Sequence, residues 1–390
     1  MINNQYPYSP QPNFAPAVIK PSGHMSVIKV ALGVTAALIA LLLGLLVLLL
    51  IGIETGPVPL LVGMICATIP VPIYITLVLW IDRYESEPLW LLASAFGWGA
   101  LVAVFIAYVT NTAGEIVVAI LTNNMQAAQT SGAVIFAPIV EESAKAFFLF
   151  VIFFWKKDEF DGVIDGIVYA AMVALGFAMT ENIKYYGVAL MHGGGVLTFT
   201  LILRGAMAPF SHPLFTSMTG IGLGLARQSE NLAVKIVTPI LGLLMAMSMH
   251  AIWNGSGAVG GGLGFLLTYI VFMVPAFLIL LIVIIFSLRR EGRVVRDFLL
   301  PDVQCGLLTP QEYEQLCSVT GRMGASYNAW SRGGMADWRA CRQFNQVGSE
   351  LAFHRNRVAR GITSSEQAAR EREAAYLQVL QELLQRLRKT

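Results

Sequence analysis

Seven ionisable side chains lie in stretches of the chain that are otherwise apolar. They are Glu141, Glu142, Lys145, Glu181, Arg204, His212 and His250. An ionisable group at the centre of a bilayer costs at least about 2.5–3.5 kcal/mol on insertion scales, so such groups are kept for a function or a specific partner. Carboxylates and imidazoles transfer protons and bind divalent metal ions. The set therefore indicates either a hydrolytic site or a proton pathway inside a membrane.

The first group of these residues has the spacing EExxK, from Glu141 to Lys145. Lys145 can reach either carboxylate on a helix, because residues three or four apart are neighbours. The two carboxylates diverge by about 100° around the helix axis. We therefore expect Lys145 to neutralise one of them and the other to face a cavity as a general base. The alternative is a buried ion pair that only holds helices together.

The remaining candidates come from three later segments. Glu181 lies in GFAMTEN, His212 lies between two prolines in PFSHP, and His250 and Asn254 share one helix face in HAIWN. A single buried histidine or glutamate is more often a packing residue than a ligand. Two histidines with three carboxylates and an asparagine reverse that balance, so we predict that they line one site.

The surrounding composition indicates a membrane protein. Of the 390 residues, 56% are hydrophobic and 13% are charged, about half the ~25% charge of a typical soluble domain. Eight segments contain the ~20 apolar residues that a membrane span needs. They are 27–53, 57–81, 88–111, 131–155, 162–186, 200–226, 233–255 and 263–288. We predict an all-α, polytopic helical bundle: a disordered cytoplasmic leader (1–26), an eight-span membrane domain (27–288) and a helical cytoplasmic tail (289–390).

Basic residues in the short loops predict the orientation, because cytoplasmic loops are enriched in Lys and Arg. With eight alternating spans, Arg83, Lys156 and Lys235 fall on one side and only Lys184 on the other. Both termini are then cytoplasmic, in a cell membrane. Glu141, Glu142, Glu181 and His250 come to within on the order of 10 Å in depth. We expect His212 to join this layer only if the sixth span begins near Ile202 rather than Gly195.

The tail carries helix signals but no candidate catalytic set. Thr309 followed by Pro310 is typical of a helix start. Leu377, Leu380, Leu384 and Leu387 share one face, which we expect to pack on the tail itself; a protein partner is the alternative. His354 is flanked by arginines and is expected on a solvated basic face.

Taken together, these motifs resemble the PrsW family of intramembrane proteases. The similar pieces are the EExxK of Glu141–Lys145, the GFAxxEN of Gly176–Asn182, the segment Arg204–Thr216, the HxxxN of His250–Asn254 and the stretch Asp82–Pro88. The resemblance covers about residues 60–260. CAAX prenyl endopeptidase-like membrane proteins are more distant, since they have a histidine where this chain has Glu181 and an arginine in a slightly longer first motif.

The resemblance implies hydrolysis of a peptide bond in a membrane-spanning substrate, with anti-sigma factors as the substrate type. It also implies a metalloprotease, although the chain lacks HExxH. We expect a single-span membrane protein and the lipid bilayer as partners, and no nucleic acid.

Two mechanisms fit the residues. In the first, Glu181, His212 and His250 hold a divalent metal ion, with zinc favoured, and Glu141 or Glu142 deprotonates its water. In the second, a glutamate activates water without a metal while His250 and Asn254 stabilise the oxyanion. The non-enzymatic alternative is a proton-coupled transporter that uses the same carboxylates; no inverted repeat supports it.

Overall fold

The structure is a computed structural model that describes residues 27–258, 260–361 and 365–388, so the predicted leader lies outside the described residues. Within them the chain is helical and has no strands. The eight helices of the membrane region are α1 (Val27–Thr55), α2 (Pro57–Ile81), α3 (Leu89–Thr122), α4 (125–155), α5 (Val163–Met191), α6 (Gly194–Gln228), α7 (Leu232–Ala258) and α8 (Gly261–Gln304). The tail adds α9 (Pro310–Cys317), α10 (Val319–Ala359) and α11 (Glu366–Leu387).

Each of the eight predicted spans coincides with one helix, which confirms the all-α membrane bundle. Among the described residues, seven helices are long and apolar enough to cross a bilayer. The remaining membrane-region helix, α4, is not among these seven. It contains the predicted fourth span and carries Glu141, Glu142 and Lys145. The last helix of the membrane region, α8, continues beyond the predicted boundary at residue 288. The boundary between two compact units of the chain lies within this helix, after Arg290.

The central element is α5, whose apolar window is 94% buried. Glycines let its neighbours approach closely, as is common where membrane helices cross. A Cβ on Gly166 would lie 2.1 Å from the Gly220 carbonyl oxygen of α6, and one on Gly176 would lie 2.1 Å from the Phe96 carbonyl oxygen of α3. This packing brings α3 and α6 close against α5.

The loop between α2 and α3 contains buried carboxylates. Asp82 Oδ2 accepts a hydrogen bond from the backbone N–H of Glu87 at 2.8 Å, and Glu87 in turn accepts one from the hydroxyl of Tyr169 on α5. Burial raises the pKa of Asp82 to about 7. Burial, together with the nearby charges of Asp165 and Asp82, also raises the pKa of Glu87. These protonatable groups hold the start of α3 against α5.

The tail forms the second unit, in which α10 packs against both α9 and α11. Thr309 caps α9 as predicted: its Oγ1 accepts from the Glu312 N–H at 3.2 Å. The prediction for His354 was wrong, because this residue is buried and its Nε2 lies 2.9 Å from the Ala369 carbonyl oxygen. Leu380 and Leu384 are also buried, so the leucine face of α11 packs within the tail.

Candidate catalytic centre

The EExxK motif lies on α4 just after a π-helical stretch, Gly132–Phe136, and all three of its charged residues are buried. The ammonium of Lys145 is fully enclosed. It lies 2.8 Å from Glu142 Oε1 and 3.6 Å from Glu141 Oε2. It also lies 4.0 Å from the centre of the Phe177 ring, a favourable cation–π distance. One cation therefore neutralises the pair, with its shortest contact to Glu142.

Both oxygens of Glu142 are used by neighbouring side chains. Oε1 lies 2.8 Å from Lys145 Nζ and 3.1 Å from His250 Nδ1, and Oε2 accepts a hydrogen bond from Thr216 Oγ1 at 2.8 Å. A carboxylate with this many charge-assisted bonds is held in one position. Glu142 consequently links α4 to α6 and α7.

Glu141 differs sharply from its neighbour. Its Oε1 accepts only a long hydrogen bond, 3.4 Å, from Asn111 Nδ2 of α3, and its Oε2 is buried without any hydrogen-bond partner. An unsatisfied buried oxygen of this kind calls for an explanation such as a catalytic role or a bound ion. The two adjacent carboxylates therefore differ in their hydrogen bonding, with Glu142 as the bonded one, although Lys145 contacts both. A general-base role for either glutamate stays a prediction.

His250 reaches the site from α7. Because a carboxylate only accepts hydrogen bonds, Nδ1 of His250 carries the proton that it donates to Glu142. In the neutral imidazole, Nε2 then presents a lone pair, and it lies 3.9 Å from the unpartnered Oε2 of Glu141. Two electron-pair donors that face each other in this way are the arrangement that a bound cation stabilises.

His212 reaches the site from the broken helix α6. Its Nδ1 lies 3.1 Å from Lys145 Nζ and its Nε2 lies 3.1 Å from Glu181 Oε2. The expected condition for this position was wrong, because α6 begins at Gly194 and His212 still joins the layer. The reason is a π-helical stretch, Ile202–Met207, followed by a break in the helix, so that a new helical segment starts at Ser211.

The break in α6 is supported by hydroxyl groups from other helices. Tyr74 donates to the Gly205 carbonyl oxygen at 2.5 Å, and Tyr269 donates to the Met207 carbonyl oxygen at 2.9 Å. Backbone groups at membrane depth require such partners. These bonds stabilise the irregular segment that carries Arg204.

Glu181 and Asn254 each have a partner that the sequence analysis did not predict. Glu181 is ion-paired with Arg204, whose Nε also donates to Asn182 Oδ1 at 2.5 Å. Asn254 uses its amide to donate to the Ala133 carbonyl oxygen at 2.9 Å and so joins α7 to the start of α4. Sequence reasoning did not identify Asn111 or Thr216 as site residues, since an uncharged polar residue in a span has no distinctive signal.

Three donors converge in a way that suits a metal ion. One ligand atom each from Glu141, His212 and His250 lies within 4.8 Å of the other two, and all three residues are buried. Two imidazoles and a carboxylate are a common ligand set for catalytic zinc. The buried Oε2 of Glu141, which has no hydrogen bond, supports this fit. Among the described residues the convergent carboxylate is Glu141, whereas the sequence had suggested Glu181.

A cavity of about 270 Å³ adjoins His212. Helices α5, α6, α7 and α8 contribute its walls, which include Asn182, Tyr185, Arg204, Trp253 and Phe265. The polar cluster therefore borders a space that is large enough for part of a substrate.

Comparison with known proteins identifies relatives of this site region. Residues 87–280 match the family described as PrsW family intramembrane metalloprotease. "Protease PrsW" of Geobacillus kaustophilus is 36% identical over 149 residues, which are 37% of this chain and 58% of that protein. The proteins of the same name from Oceanobacillus iheyensis and Bacillus subtilis are 34% and 30% identical, over 43% and 44% of this chain and 71% and 72% of their own lengths.

The aligned region spans less than two thirds of the Geobacillus protein but more than two thirds of the other two. No solved structure gives a significant match to the chain. The matched residues 87–280 include every member of the buried Glu/His cluster, and the family description favours the protease prediction over the transporter alternative. The chain is a multi-pass membrane protein that belongs to the PrsW family of intramembrane metalloproteases.

Proposed function

We propose that this protein hydrolyses a peptide bond of a single-span membrane protein at the buried Glu/His cluster, and that the cluster holds one zinc ion. The observation that carries the proposal is the convergence of Glu141, His212 and His250 at a buried carboxylate oxygen that has no hydrogen bond. By the family resemblance, the substrate is of the anti-sigma-factor type.

In this proposal Glu141, His212 and His250 hold the ion. A bound zinc ion would lower the pKa of a water molecule and polarise the carbonyl group of the scissile bond. Glu142 orients His250 by accepting the proton of its Nδ1, which leaves Nε2 directed toward Glu141. Lys145 offsets the negative charge of the carboxylate pair.

Glu181 is the remaining carboxylate beside the site, and we assign it the proton of the attacking water. It lies on the same face of α5 as Ala178 and Tyr185, which line the cavity, because these positions are three and four residues away. Its contact with His212 brings it to the edge of the cluster. Asn254 donates its amide to a backbone carbonyl and His250 donates its Nδ1 proton to Glu142, so this proposal uses neither of them as the oxyanion donor predicted for the mechanism without a metal.

Two matched variants test these roles. Purified wild type, Glu141→Gln and Glu181→Gln in liposomes would be assayed for zinc content and for cleavage of a single-span substrate. We expect Glu141→Gln to lose both zinc and activity, and Glu181→Gln to keep zinc and lose activity. The opposite zinc result would restore Glu181 as the ligand, and full activity after exhaustive chelation would favour the mechanism without metal.

We further propose that both termini are cytoplasmic, that residues 27–288 act as the protease domain, and that the 289–390 tail contributes to the choice of substrate. Single cysteines at Asn123 and Gly257 should react with an impermeant maleimide from outside the cell, and one at Gly361 should not. Reaction of a cysteine at Gly361 in intact cells would contradict the proposed orientation.

A further inference from the structure

The cavity beside His212 has a volume of about 270 Å³, which is room for a few side chains. Any peptide bond presented to His212 from this side therefore comes with at least one of its flanking side chains in the cavity.

The charge that lines the cavity is already compensated. Arg204 pairs with Glu181, donates to Asn182 and lies 3.7 Å from the centre of the Tyr185 ring. A guanidinium with a carboxylate and an aromatic face as partners has little attraction left for a second anion. This wall therefore selects against a charged substrate side chain, since such a side chain would lose its hydration without gaining a counter-ion.

Another part of the lining is aromatic. Trp253 of α7 and Phe265 of α8 pack at 4.6 Å between ring centres with a 56° tilt. Small residues, Ala178 and Ala208, lie on other parts of the lining and leave the space open. Aromatic walls around an open volume favour large apolar groups, because offset and edge-to-face ring contacts add to the area that is buried.

We propose that this cavity is the subsite for a large, neutral, apolar side chain, aromatic or leucine-like, next to the bond that is cleaved. The inference rests on the proposed proteolytic function, because the subsite is defined by its position beside His212. It names the substrate feature that the enzyme reads: a bulky apolar residue at the cleavage site in a membrane segment.

A cavity-filling variant separates this subsite from general damage to the protein. Ala208→Phe would be compared with Ala113→Phe, which adds the same ring to an exposed position on α3. The substrates would be identical single-span proteins with Phe, Leu, Ala, Asp or Lys at each position flanking the cleaved bond. For the wild type we expect kcat/KM to favour Phe and Leu over Ala by roughly 10–200-fold at one of these positions.

In Ala208→Phe this ratio should fall at least about tenfold, with cleavage of the Ala substrate retained, while Ala113→Phe should match the wild type. An unchanged ratio in an active Ala208→Phe enzyme would overturn the subsite, as would a wild-type preference for Asp or Lys. A photoreactive benzoylphenylalanine at the same substrate position, presented to the inactive Glu141→Gln variant, should cross-link to Trp253 or Phe265. Cross-links confined to other helices would also reject the subsite. Cross-linking at these residues without any cleavage by the wild type would instead reject the proposed function.

Discussion

The neighbouring carboxylates Glu141 and Glu142 should respond very differently to the same change. We predict that Glu142→Gln destabilises the protein by about 3–5 kcal/mol, the cost typical of breaking a buried ion pair. Glu141→Gln should change stability by less than about 1 kcal/mol, because the oxygen that it alters has no hydrogen bond in the folded protein. Both variants should be inactive, so activity alone does not distinguish them.

The magnitude follows from the distances around Lys145. At an effective dielectric constant of about 20, unit charges attract by about 6 kcal/mol at 2.8 Å and about 5 kcal/mol at 3.6 Å. Glu142→Gln removes the larger attraction and also weakens the bonds from Thr216 and His250. Glu141→Gln loses the smaller attraction, but it also removes repulsion from Glu142 and the burial of a bare charged oxygen.

The assay is thermal unfolding in one detergent, followed by tryptophan fluorescence, for the wild type and both variants purified in parallel. A double variant, Glu142→Gln with Lys145→Met, is the matched control. In Glu142→Gln the ammonium of Lys145 stays buried without its nearest carboxylate. The double variant removes this buried charge, so part of the lost stability should return.

Equal unfolding midpoints for Glu141→Gln and Glu142→Gln would refute this reasoning. So would a double variant that is less stable than Glu142→Gln alone. Either result would mean that Lys145 is not held chiefly by Glu142.

Three further predictions concern pH, metal and the tail. Because burial raises the pKa of Asp82 from 3.8 to about 7, its charging costs stability as pH rises from about 4 to about 7. Asp82→Asn should therefore raise the unfolding midpoint relative to wild type more at pH 8 than at pH 5. The same difference in midpoint at both pH values would show that burial does not raise the pKa of Asp82. About one zinc ion per chain should co-purify, His250→Ala should lose it, and a chelator should inactivate the enzyme reversibly; elemental analysis beside the cleavage assay checks this. A chain truncated after Gln304, where α8 ends, should still cleave a generic membrane peptide, and complete loss of cleavage in an inserted protein would show that the tail completes the site.

Local composition was enough to predict the architecture. Apolar stretches of about 20 residues leave the backbone only helices as a way to satisfy its hydrogen bonds in lipid. This is why the eight segments match α1 to α8, with differences mainly at their ends. The buried charges on these segments, such as Glu142 and His250, likewise had to face the protein interior, so the sequence also identified the members of the cluster.

Tertiary packing decided how those members pair. Helix spacing allowed Lys145 to contact either carboxylate, and the choice of Glu142 depends on Thr216 and His250, which come from α6 and α7. No local pattern encodes a contact between residues 74 or 108 positions apart, because such contacts depend on how whole helices cross.

The broken helix α6 is the second feature that only the structure shows. The sequence shows His212 between two prolines. Its position in the site depends on the π-helical stretch before the break and on hydroxyl groups of Tyr74 and Tyr269 from other helices. The same segment delivers Arg204 to Glu181. Glu141 thereby becomes the carboxylate that converges with the two histidines. The sequence determined which groups are buried in the membrane, and the crossing of α4 to α7 decided which of them remain free to bind an ion or a substrate.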